Sequence, residues 1–154
     1  KEEFEDNIVE GLDLSPYFLS IALERNIEKE LDIKYFHANA EDIPKPDDYY
    51  DLVSCSFVFH EVPYYATINI LKEIKRILKP NGILIITDLD REYLTKRLEG
   101  NKFRKWAFEI TEPHIDEYYN TDFFKLLSDE GFSFVTKVKN DPINSSWLAK
   151  NWEL

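Results

Sequence analysis

The 154-residue chain has no methionine, one cysteine, four glycines and no apolar run near the roughly 20 residues a bilayer-spanning helix needs. Each shortage excludes something. A chain that starts on Lys1 without a methionine does not begin at a translation start, so processing or truncation is expected to have removed a segment. A lone cysteine, Cys55, rules out an intrachain disulfide and fits a reducing, cytoplasmic setting, although a targeting segment ahead of Lys1 stays open. Basic residues are also short, 19 against 30 acidic ones, giving a net charge of −11 and a pI near 4.7. Such a field repels phosphate backbones and anionic headgroups, which argues against nucleic-acid and membrane-surface partners. The four glycines are Gly11, Gly82, Gly100 and Gly131, and no two stand close enough for a glycine-rich phosphate turn.

What is present is ample for a core: hydrophobic residues are 44% of the chain and aromatic ones 15% of it, enough for one domain over residues 1–154. Apolar runs at Ile8 to Leu12, Ile33 to His37, Leu52 to Phe59 and Ile83 to Thr87 read as strands. Between them, Ser15-Pro16 opens a helix with Phe18, Ile21, Ala22 and Arg25 on one face. Ile70, Leu71, Ile74, Ile77 and Leu78 mark a second helix that stops at Lys79-Pro80-Asn81-Gly82. Alternating strands and helices, with strands apolar on both faces, predict a mostly parallel α/β sheet covered by helices on both sides.

Beyond Thr87 a charged helical segment from about Arg91 to Glu109 precedes a turn at Glu112-Pro113-His114. A helix over about 122–130 ends at Gly131, where a left-handed residue is needed, and Phe132 to Lys139 alternates as a half-buried strand towards an antiparallel edge. The lysines and arginines from Lys96 to Lys105 read as a solvated helix face, with Trp106 and Phe108 turned inward.

Asp13 closes the first strand at its carboxyl end, where open α/β sheets bind ligands; it suits a ribose diol or the cap of the following helix about equally. Ala38-Asn39-Ala40-Glu41-Asp42-Ile43-Pro44, after the second strand, offers backbone and amide groups to an adenine edge, or is an ordinary polar loop. His60 and Glu61 follow the third strand and can touch substrate or exchange protons. No second histidine stands four residues on, where Tyr64 sits, so the zinc-protease pattern is absent. Cys55 reads as a small core residue.

Gly11-Leu-Asp-Leu-Ser-Pro16, Ala40-Glu-Asp-Ile-Pro44, Tyr50-Asp-Leu-Val53 with His60-Glu61, and Leu71-Lys-Glu-Ile-Lys-Arg-Ile-Leu-Lys-Pro-Asn-Gly82 resemble, in order and spacing, the class I S-adenosylmethionine-dependent methyltransferases. The likeness is nearest the small-molecule branch that includes quinone-biosynthesis C-methyltransferases, and Thr111 to Tyr119 resembles uncharacterised cyanobacterial and plastid members. The resemblance implies a Rossmann-like fold, S-adenosylmethionine as cofactor and a small-molecule methyl acceptor. It implies that Asp13 binds the ribose, Leu14 packs on the adenine, Asn39 and Ala40 meet the base, and Ser56 and Phe57 line the methionine end. Asn39 departs from the aspartate common in relatives. His60, Glu61 and the segment around His114 would face substrate, with His60 the first candidate for a general base.

The family's glycine-rich turn and its first strand, which lies between the strands equivalent to Ile8–Leu12 and Leu52–Phe59, have no counterpart in these residues. The chain is therefore expected to need a complementing N-terminal segment, direct pairing of those two strands, or a partner chain such as a homo-oligomer, and to be inactive alone. Two other readings stand beside it. One is a non-catalytic methyltransferase-like binding or assembly module that uses the aromatic tail Trp147 to Trp152. The weaker one is a nucleotide-dependent oxidoreductase, for which no Tyr-x-x-x-Lys pair occurs in a helix.

Overall fold

In the computed structural model, which describes residues 7–152, the apolar run near the front forms β1 (Val9–Asp13). It pairs in parallel with β2 (Ile33–His37), in register from Val9 opposite Ile33 to Asp13 opposite His37. A parallel pair needs a crossover, and α1 (Pro16–Glu28) supplies it. Ser15 caps this helix by accepting the Phe18 N–H, and Pro16 stands at its start, where a missing N–H costs nothing. Asn26 then fixes β2: its amide donates to the Ile33 carbonyl and its oxygen accepts the Ile33 N–H, at 3.0 and 3.3 Å.

These elements belong to the first of two units, Lys1–Pro44 and Lys45–Leu154. One helix on two strands covers one face, so all five β1 residues are half-buried, not enclosed on both sides as their apolar character predicts. Leu19 is the buried residue of α1, while Phe18 is exposed. Among the described residues β1 carries a ladder on one edge only, to β2.

The second unit holds β3 (Tyr50–Ser56), α2 (Tyr64–Ile77), β4 (Leu78–Leu89), α3 (Arg91–Leu98), α4 (Lys102–Thr111), α5 (Ile115–Asn120), α6 (Phe123–Asp129), β5 (Phe132–Lys139) and β6 (Asn144–Asn151). Its sheet has the order β3-β4-β6-β5. The β3–β4 pair is parallel, and both pairs made by β6 are antiparallel, so this sheet is mixed where a mostly parallel one was expected. The antiparallel edge is β5, as its alternation predicts. β3, like β1, is laddered on one edge only among the described residues.

The α2 stripe behaves as its spacing predicts: Ile70, Leu71, Ile74 and Ile77 are all buried. The Lys79–Gly82 stop is not a loop before the strand but a bulge inside β4. Tyr50 pairs with Leu78 and Leu52 with Ile83, so residues 79–82 face Asp51 alone. Lys79 ties the bulge back through Nζ to both Asp51 carboxylate oxygens at 2.9 Å. A Cβ on Gly82 would lie 2.8 Å from the Lys79 carbonyl oxygen, so the bulge requires glycine there. Gly131 takes the expected left-handed turn after α6, with φ of +81°.

The single helix expected over Arg91 to Glu109 is two, because the chain turns after Leu98 and Asn101 caps a new helix by accepting the Arg104 N–H. The Trp147–Trp152 tail is also placed differently. It forms β6, inserted between β4 and β5, and buries Trp147 against the Phe123 ring at 5.1 Å. Phe123 in turn meets Phe59 and Tyr118 at 5.8 and 5.4 Å, completing an aromatic core. The Asn151 amide donates to the Lys75 and Leu78 carbonyls, closing the α2 C-terminus.

Candidate active site

Two clusters sit at the carboxyl ends of strands. In the first unit, the parallel register brings Asp13 and Leu14 beside the turn that carries Asn39 and Ala40. Asp13 Oδ1 accepts the Ser15 N–H at 2.7 Å, which orients the carboxylate and leaves Oδ2 for a ligand hydroxyl. The helix cap itself is Ser15, and Asp13 acts one step before it, by holding the backbone of that capping residue. Leu14 is exposed, and its carbonyl lies 2.7 Å from His37 Nε2. Asn39 Oδ1 already accepts the Glu41 N–H at 3.0 Å, with one lone pair remaining.

In the second unit the chain leaves β3 sooner than the apolar run suggests. Ser56 is the last strand residue, and Phe57 takes a left-handed φ of 58° while its N–H still donates to the Thr87 carbonyl. A bulky residue in that conformation is strained, and such strain concentrates at functional sites. It throws the following residues across the end of β4, where Asp88 is fully buried.

Asp88 organises the loop. Its Oδ2 accepts the Phe59 N–H at 3.0 Å, and its Oδ1 accepts the Leu89 N–H at 2.7 Å and pairs with His60 Nδ1 at 2.6 Å. His60, only 7% exposed, packs edge-on against Tyr118 at 6.2 Å, and the Tyr118 hydroxyl donates to the Leu89 carbonyl at 2.6 Å. With Nδ1 committed to Asp88, Nε2 is the free ring nitrogen, 3.9 Å from Glu61 Oε1. Burial favours the neutral ring, but the Asp88 hydrogen bond and charge, joined by Glu112 and Glu61, outweigh it and raise the His60 pKa. Burial pushes the Tyr118 hydroxyl far above its usual range, so it stays a donor.

The raised His60 value has a stability consequence. A group bound more tightly to its proton when folded contributes stability that is fully present below the unfolded value of about 6.5 and lost as pH rises through the folded one. Urea midpoints should therefore fall more steeply through neutral and mildly basic pH for the parent chain than for His60→Gln; superimposable profiles would contradict the pairing.

His114 stands at the N-terminus of α5, one turn before Tyr118, whose N–H donates to its carbonyl; its Nδ1 is 3.5 Å from Glu117 Oε1, while Glu117 Oε2 accepts the Tyr64 N–H and so joins the α5 and α2 starts. Cys55 is inert: burial and then the Asp88 charge push its thiol up to about 12. Nearby, Asp90 caps α3 and receives Ser145 Oγ and Lys137 Nζ at 2.6 and 2.9 Å. Burial alone would raise its pKa, but these bonds hold it well below the usual carboxylate range. Asp88, Asp90 and Tyr118 were not among the expected site residues. The available signal was the acidic pair at the polar end of the Ile83–Thr87 run.

Each unit, taken by itself, carries polar residues at the carboxyl ends of its parallel strands, Asp13 in the first and His60 with Asp88 in the second. Residues 2–86, more than half of the chain, match the family described as "Methyltransferase domain", and the chain belongs to it, within the class I S-adenosylmethionine-dependent methyltransferases. Among curated relatives, the demethylmenaquinone methyltransferase of Bacillus licheniformis is 40% identical over 77 residues, which are 50% of this chain and 32% of that protein. The same enzyme of Lysinibacillus sphaericus is 36% identical over 81 residues, 53% of this chain and 33% of its own length. The aligned segments thus span about a third of these relatives. Among solved structures, the PH0226 protein of Pyrococcus horikoshii gives a TM-score of 0.72 at 17% identity, over 96% of this chain and 73% of that one. A SAM-dependent methyltransferase of Aquifex aeolicus gives 0.67 at 22%, over 95% and 70%. These likenesses establish the Rossmann-like fold.

Proposed function

We propose that this chain contributes to S-adenosylmethionine-dependent methyl transfer onto a small-molecule acceptor. The observation that carries the reading is Asp13, a carboxylate oriented by Ser15 at the carboxyl edge of a parallel pair, with one oxygen left for a ribose hydroxyl. Leu14 suits the adenine face, and the turn at Asn39 and Ala40 suits its edge. Ser56 and the strained Phe57 are assigned to the methionine end, and Glu61 and His114 to the acceptor. One relative, a phosphoethanolamine N-methyltransferase of Haemonchus contortus, was solved in complex with S-adenosyl-L-methionine and shares the fold at a TM-score of 0.71 and 17% identity. The curated relatives are named for demethylmenaquinone, and a quinone is the acceptor class this reading favours.

When bound, the cofactor supplies an electrophilic methyl group, so the protein's own work is alignment and proton removal. His60 Nε2 accepts the proton from the acceptor's carbon or oxygen nucleophile, and Asp88 holds the ring for it.

The 154 residues include no glycine-rich turn to cradle the cofactor's carboxylate and sugar. Taken alone they should bind weakly and turn over little, and a complementing segment or partner chain would supply the missing cradle. Calorimetry should show millimolar binding of S-adenosylmethionine, weakened further by Asp13→Ala. Micromolar binding would overturn the claim of inactivity. Weak binding indifferent to Asp13→Ala would overturn the assigned cofactor role.

A further inference from the structure

Helix α4 displays its apolar stripe instead of burying it. Phe103, Trp106 and Ile110 fall at i, i+3 and i+7 on one face and are 74%, 56% and 62% exposed, with the Phe103 and Trp106 rings 5.6 Å apart. This corrects the expectation that Trp106 faces inward: of the ring pair expected there, only Phe108 is half-buried. A contiguous aromatic patch in water is unfavourable and marks a contact surface.

The residues around the stripe indicate what covers it. Lys102 lies about 40° beyond Trp106 at one border of the stripe; Arg104 lies about 100° beyond Phe103 on the other side, with Nη1 donating to the Arg97 carbonyl at 3.3 Å, and both are exposed. Arg97 on α3, just upstream, adds to them, whereas Lys96 is paired with Glu92 at 2.6 Å; Glu99 is the one acid between Lys96 and Lys105. A chain with a net charge of −11 thus carries Lys102, Arg104 and Lys105 on a helix with an exposed aromatic stripe. Protein interfaces are depleted of lysine, whereas a Trp-bearing stripe flanked by Lys matches the apolar and anionic layers of a membrane surface. The acidic remainder does not cancel this, because charges farther off than about 8 Å are largely screened at physiological salt.

We propose that α4 is an interfacial docking helix. It lies on anionic bilayers, with Phe103, Trp106 and Ile110 at the acyl boundary and Lys102 and Arg104 reaching the lipid phosphates. This reading does not depend on the methyl-transfer assignment. It reverses, for this one face, the exclusion of membrane surfaces drawn from net charge.

Vesicle sedimentation of the 154-residue chain tests it, using phosphatidylcholine with and without one-third phosphatidylglycerol. We expect about tenfold tighter association with the anionic vesicles, reversed by salt. Phe103→Ser with Trp106→Ser should abolish it, and Lys102→Glu with Arg104→Glu should remove the preference for anionic lipid. All four sites are exposed, and unchanged circular dichroism verifies folding. Equal binding to both vesicle types, no binding to either, or variants that bind like the parent would overturn the proposal. So would self-association in light scattering that disappears with the Phe103 and Trp106 changes while vesicles stay unbound, since the stripe's occupant would then be a second copy of the chain.

Discussion

Asp88→Ala should destabilise the chain by about 3–5 kcal/mol, the range for removing one partner from a buried charged pair. The carboxylate is the acceptor for two backbone N–H groups, those of Phe59 and Leu89, and for His60. Alanine would leave all three unpaired in a site that water does not reach, and each orphaned donor carries its own desolvation cost. Asp88→Asn keeps the shape and one acceptor oxygen, so its loss should be smaller, and it should also abolish the rise in the His60 pKa. Urea denaturation followed by tryptophan fluorescence measures the first effect, and an NMR titration of His60 the second. A loss below about 1 kcal/mol for the alanine variant would mean that water takes over the carboxylate's bonds.

The second large effect is at Trp147. Its ring is 6% exposed, lies against Phe123 and carries Lys137 Nζ 4.9 Å above its face. Removal to alanine opens a cavity between the sheet and the aromatic core and should cost about 3–5 kcal/mol. Trp152, one residue past β6 and 43% exposed, is the internal control: Trp152→Ala should cost under about 1 kcal/mol. Equal losses at the two positions would contradict the placement of β6. They would also return the aromatic tail to the role of a partner surface.

That tail shows where sequence reading stopped. Asn144, Ser145 and Ser146 look like loop residues, yet Ser145 is buried because its hydroxyl bonds to Asp90, a partner 55 positions away. Local composition cannot report such a pairing. The same holds for Asp88 and His60, 28 positions apart. By contrast, α2 announced itself, since its burial pattern is a periodicity within one helix, and so did Gly131, since a helix end imposes a local backbone requirement. The ends of β3 and the bulge of β4 fell between these cases. Apolar character continues through Phe59 and a proline–glycine turn signal is present at 80–82, but only the partner strand decides where a ladder breaks. The place of Asp13 at the carboxyl end of a strand was legible too, since the apolar run before it stops there. The exposed face of α4 was not, because the amphipathic pattern of a helix does not say whether its apolar side turns towards the core or away from it.

The strand order also bears on how this unit is assembled during synthesis. β5 emerges from the ribosome before β6 but has no neighbour in the sheet until β6 has been made and slipped in beside β4. Until then, Asn151 cannot close the end of α2, and Lys75 lacks the side-chain oxygen that Asn151 offers it. Contacts of this sequence separation form late and slowly. The nascent unit therefore passes through a stage with β4 open along one edge, and it is at that stage that a chaperone or a second nascent chain would find it.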